Sequence, residues 1–193
     1  MATKSMPVTS DPAANKLLVT DPLALLIGML LDQQVPMEWA FRGPATLAER
    51  LGGGLDAEAI AGMDPEAFVA ICAAKPAIHR YPAVMGRRIY ELCVTIVDDY
   101  GGDAGKVWRG VRTGDELYRR LRALPGYGDE KARIFIAILA KRLGKTPTGW
   151  EQAAAPFSDD QPRSVADIGS AEDFADVRAW KKAMKAKGKA KTD

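Results

Sequence analysis

Residues 117–139 read LYRRLRALPGYGDEKARIFIAIL, and this stretch decides the fold. Leu117 and Leu121, then Ile134, Ile138 and Leu139, recur at helical spacing on either side of Leu124-Pro125-Gly126-Tyr127-Gly128. Pro125 ends the first helix, because the residue before a proline is pushed out of the helical region. The glycines let the chain turn through positive φ without a Cβ penalty. Thr113-Gly114-Asp115-Glu116 has capping-box spacing and opens the first helix, expected to about Ala123. Asp129 to Leu143 is the second, stopped by Gly144. The hairpin therefore spans 113–143. The first-turn amides of its second helix have no intrahelical partners, and together with Gly126 and Gly128 they are suited to an anion such as a phosphate. A plain helix-to-helix turn is the alternative reading.

Working outward, Asp21-Pro22 is a helix start followed by LALLIGMLL, which is apolar on nearly every face and so belongs in a core. Asp32-Gln33-Gln34-Val35-Pro36 closes it. Further helices are expected at about 37–51, 56–61, 64–74, 82–100 and 172–187, with a short helical turn near Val107-Trp108 and a loop over 145–170. No window alternates at period two, so the fold class is all-α. Residues 1–19 read as a loose arm, 20–177 as one helical domain, and 178–193 as a Lys-rich tail expected to fray.

The 193 residues carry a net charge of only +2, but this is a sum of opposed blocks. Residues 1–79 carry −4, 80–145 carry +6, 146–177 carry −6 and 178–193 carry +6. The basic blocks coincide with the hairpin and the tail and point to a polyanionic partner; a solvated helix face and a solubilising tail are the bland alternatives. Cys72 and Cys93 sit in apolar sequence without CxxC spacing and read as buried thiols rather than a disulfide. The single histidine, His79, reads as a surface or capping residue. Trp39, Trp108 and Trp180 read as core or anchor residues. The start of the chain lacks the apolar stretch of a signal peptide, and Leu23 to Leu31 is too short to span a bilayer. The expectation is a soluble, cytoplasmic monomer with no membrane association.

Two motifs together resemble a known family. LPGYGDEKA resembles the helix-hairpin-helix of the HhH-GPD superfamily of base-excision DNA glycosylases, and Leu25 to Val35 resembles that family's N-terminal LLxxQQ helix. The matches frame roughly residues 20–152. The resemblance implies a helix-hairpin-helix glycosylase-like fold, double-stranded DNA as partner, and cleavage of the N-glycosidic bond of a damaged or mispaired base. It implies DNA contacts from Gln33, Gln34, Leu124, Gly126, Tyr127, Gly128 and Lys131, with Gln34 as the residue that enters the base stack. Tyr127 reads equally as a packing residue, and Lys131 as facing phosphate or solvent.

The catalytic pattern departs from the family. Glu130 occupies the position of the nucleophilic lysine of bifunctional members, which implies hydrolysis without strand nicking. A gap-free count from Gly144 puts Glu151 where the family has its catalytic aspartate, and Asp32, Asp159 and Asp160 are the other carboxylates at hand. The family's cysteine cluster is missing, which excludes a [4Fe–4S] centre and implies no cofactor, with room for a monovalent cation at the hairpin. A non-catalytic lesion-recognition module that has lost the carboxylate stands beside the enzyme reading.

Overall fold

The computed structural model describes residues 6–193. Among these the regular structure is helical throughout: α1 (Pro12–Thr20), α2 (Pro22–Leu31), α3 (Met37–Arg50), α4 (Ala57–Ala61), α5 (Pro65–Ala73), α6 (Pro82–Tyr100), α7 (Gly114–Arg122), α8 (Asp129–Leu143), α9 (Trp150–Ala154) and α10 (Ala171–Ala186). Short 3-10 turns cover Ala104–Val107 and Val165–Asp167. No single helix among the described residues is long and apolar enough to cross a membrane.

Aspartate caps start four of the helices. The Asp11, Asp21, Asp56 and Asp64 side chains each accept from amides of the following first turn, and three of them precede a proline whose missing N–H is not needed there. α2 is buried from Leu23 to Leu31. α8 is buried from Ile134 to Ala140, so the second helix of the hairpin is itself a core element. α2 packs on α1, α3 and α8, while α4 and α5 pack on α6. The segment after α8 is pinned back: the Thr148 N–H donates to Arg112 O at 2.9 Å, and the Gly114 N–H donates to Thr148 O at 2.8 Å. A Cβ on Gly114 would come within 2.5 Å of the Gly149 carbonyl, so this contact requires glycine.

Two expectations are corrected. The expected arm is not loose over its described part, 6–19: Met6 and Val8 are fully buried, and 12–20 form α1 against α2 and α3. Asp11-Pro12 is the same start signal as Asp21-Pro22. Residues 1–5 lie outside the described residues. The tail is not frayed either. α10 ends at Ala186, and the chain then turns so that Arg163 Nη1 donates to the carbonyls of Lys191 and Asp193, both at 2.7 Å.

Candidate functional site

The hairpin turn is bound to α2 through backbone carbonyls. Tyr127 Oη donates to Leu26 O at 2.7 Å, and Lys131 Nζ donates to Leu30 O. The donors are four residues apart, as are the acceptors, so the hairpin turn and the start of α8 lie along one turn of α2. Tyr127 is buried with its ring edge against Phe135, centroids 5.9 Å apart, and burial raises its hydroxyl pKa well above the usual value. Leu124 is buried too. The side chains of Leu124 and Tyr127 are therefore withdrawn from any partner, and only their backbone remains at the turn. Gly126 has φ +78° and packs against Leu30, while Gly128 is open, with nothing within 4 Å of where a Cβ would stand.

Gly128 caps α8 without a side-chain hydrogen bond, so the amides of Asp129, Glu130 and Lys131 open the helix unsatisfied by a cap. Two carboxylates stand in this first turn, and both are engaged. Asp129 accepts from Tyr118 Oη at 2.5 Å and pairs with Arg133 at 2.9 Å, which holds its carboxyl below the ordinary value. Glu130 pairs with Lys191 of the carboxy-terminal segment at 2.8 Å. A monovalent cation at the turn would have to compete with Arg122, whose guanidinium already donates to Tyr127 O at 2.8 Å, so the residues present do not suit one.

The Gln33-Gln34 turn is held from two sides. Lys131 Nζ donates to Gln33 Oε1 at 3.1 Å, and His79 Nε2 lies 2.9 Å from Gln33 O. Of the surface and capping roles expected for His79, the surface one is excluded: the residue is buried, its ring packed between Trp39 and Tyr81. The Tyr81 N–H donates to Nδ1 at 3.0 Å, so the proton sits on Nε2 and is donated to Gln33 O. Burial lowers the His79 pKa and keeps the ring neutral. With Gln33 fixed, Gln34 is thrown outward at φ +57°, the one non-glycine residue in the left-handed region among the described residues. A strained, exposed glutamine held by buried neighbours is the kind of outlier found at ligand sites.

Between this turn and the hairpin lies a cleft of about 460 Å³ lined by Met29, Asp32, Gln33, Gly128, Glu130 and Lys131. On the other side of Asp32 a second cavity of about 460 Å³ runs under α10, lined by Gln34, Val35, Met37, Phe174, Arg178 and Lys181. Each is large enough for a small organic ligand. Lys131, expected to face phosphate or solvent, is half-buried in the wall of the first cleft. Its stem is buried, and loss of hydration lowers its pKa to about 8, opposed by the attraction of Asp32.

The structure therefore brings Gln33, Gly126, Gly128 and Lys131 to one cleft, while Gln34 lines the neighbouring cavity on the other side of Asp32. Glu151 is elsewhere, exposed in the first turn of α9 and absent from the lining on either side of Asp32. Asp159 is tied to Arg163. Asp32, named among the alternative carboxylates, is the one that lies half-buried at the cleft, at the end of α2, and the residue missed is Lys181, which was grouped with the tail. The juxtaposition of α10 with the Gln turn carries no local signature, so only the fold reveals it. Among the described residues no group of three or more His, Cys, Asp or Glu side chains is arranged to hold a metal ion. Comparison of the sequence with protein-family models and with curated proteins found no match in either.

Proposed function

We propose that the chain is a helix-hairpin-helix DNA-repair protein that binds duplex DNA and cleaves the N-glycosidic bond of a damaged or mispaired base. The observation that carries this reading is the Gln33-Gln34 turn, clamped by His79 and Lys131, with Gln33 lining the same cleft as Gly128 and the first turn of α8 and the exposed Gln34 next to it in the chain. In this reading the α8 amides and the basic residues of α7 and α8 take backbone phosphates. Gln34 fills the gap left when a nucleotide is turned out, and the cleft beside Asp32 receives the extruded base. A carboxylate near the sugar stabilises positive charge on C1′ and accepts a proton from the attacking water. Asp32 has the location for that role, whereas Glu151 has only the sequence count.

The separation of Glu151 from the cleft is what favours the second reading, a lesion-recognition module without catalysis. One experiment separates them. The full chain is incubated with duplexes carrying uracil, hypoxanthine, 8-oxoguanine, alkylated purines or an abasic site, and base release is read after alkali. Release supports the enzyme. Salt-sensitive binding without release supports the module. Absence of duplex binding at low salt overturns both. Gly128→Val is the matched control: it leaves the fold intact and blocks backbone approach, so binding that survives it removes the hairpin from the argument.

A further inference from the structure

The carboxy-terminal segment builds a groove that the DNA reading does not use. α10 carries Trp180 and Met184 four residues apart, with Lys181 and Lys185 next to them at the same spacing. The helix closes in a Schellman turn: Gly188 has φ +66°, its N–H donates to Lys185 O at 3.1 Å, and the Lys189 N–H donates to Met184 O at 2.9 Å. The chain thus doubles back, and Lys189 and Lys191 line the same cavity of about 500 Å³ as Trp180 and Met184, both half-buried. The returning turn is fixed by Arg163, which holds its carbonyls and sits over the Trp180 ring at 5.4 Å. Lysines dominate the rim. Lys185 and Lys189 are exposed and form no ion pair among the described residues, and Lys181 Nζ meets only the Met37 thioether, a weak acceptor. Glu130 is the one carboxylate in the lining, and Lys191 already pairs with it.

We propose that this groove docks an acidic segment of a partner protein, which sets carboxylates against the lysine rim and an apolar side chain on Trp180 and Met184. Charge complementarity selects an anionic occupant, and the apolar floor selects one that carries hydrophobic surface beside its charge. In an extended peptide successive side chains point to opposite sides, so an apolar residue enters the groove while neighbouring carboxylates reach the rim. A DNA duplex meets only half of this requirement. Its phosphates would reach the lysines, but its bases are stacked inside a convex rod and would leave the floor wet. Stacking of a single-stranded base on Trp180 is disfavoured as well, because Arg163 already covers one face of the ring. The proposal stands independently of the DNA function proposed above.

The test titrates the full chain into a fluorescein-labelled peptide, a run of aspartates ending in leucine and phenylalanine, and reads anisotropy. Binding is expected at low salt, and it weakens about tenfold or more when the leucine and phenylalanine are replaced by serine. Lys185→Glu weakens it about tenfold, and Met184→Gln, which keeps the length of the side chain, has an effect of about the same size. Lys182→Glu makes the same charge reversal one position along, exposed and outside the groove, and costs about twofold or less. Absence of peptide binding, a serine peptide that binds as tightly, or equal losses in Lys182→Glu and Lys185→Glu overturns the proposal. An oligothymidylate of matched charge is the competing probe. If it binds more tightly than the peptide and is lost in Lys185→Glu, the groove belongs to nucleic acid and the peptide reading falls. Peptide binding without duplex binding keeps the groove and overturns the DNA function, and duplex binding without peptide binding does the reverse.

Discussion

α2 ends at Asp32 and α10 walls the cavity beside that residue, and the two helices are held by opposite means. α2 has ten residues and buries nearly all of them, whereas α10 has sixteen and buries only Val177 completely. The first is framework. The second is a cover laid on through a few polar contacts and the partly buried Phe174. A site built between a rigid helix and a lightly held one can keep its geometry on one side while the other side yields to a ligand.

Substitution should expose that asymmetry most strongly in the core. Leu30→Ala is expected to lose about 3 kcal/mol of stability, because the side chain is fully buried against α8 and the Gly126 turn, while Val177→Ala loses about 1 kcal/mol. Chemical denaturation measures both, and comparable losses would dissolve the distinction between frame and cover. The hairpin glycines give the next largest contrast. Gly126→Ala is expected to cost about 1–2 kcal/mol, since φ +78° places a Cβ in a disfavoured region and against Leu30. Gly128→Ala should stay within about 0.5 kcal/mol, since its backbone is extended and its surroundings empty.

A smaller effect belongs to pH. The His79 pKa is lowered below 6.5 by burial, so the unfolded chain binds the proton more readily than the folded one. Its contribution to stability is complete above 6.5 and is lost as pH falls from there towards the folded-state value. The stability difference between the wild type and His79→Phe should therefore shrink on acidification, and exchange of the amides around Gln33 should quicken in the wild type. A pH-independent difference would release the Gln turn from His79. The smallest effect is on the cover. Lys191→Ala breaks an exposed ion pair with Glu130 and should change the melting temperature within error, about 0.5 kcal/mol or less, while hydrogen exchange in α10 becomes faster.

Helix starts were legible where punctuating residues write them locally: α2 and α6 begin at their prolines, α8 lies between Gly128 and Gly144 as expected, and α10 is displaced by a single residue. α1 was marked by Asp11-Pro12 and was passed over because the residues before it are polar. The burial of His79, Lys131 and Lys181 was not legible for one reason. Each is polar, and its burial depends on a carbonyl or thioether supplied from 46, 101 or 144 residues away. Periodicity reports which face of a helix is apolar; it does not report which distant atom will satisfy a buried polar group. Glu151 illustrates the converse, a position reached by counting along the chain that α9 places outside the cleft.

The two cysteines have a practical consequence. Cys72 and Cys93 are fully buried, and burial drives both thiols up to about 12. At neutral pH neither presents a thiolate to an alkylating reagent. The wild-type chain is therefore a silent background for thiol-directed dyes, and a cysteine introduced at the exposed Gln34 would carry a single fluorophore. Its emission would report directly whether that corner of the molecule leaves water when duplex is added.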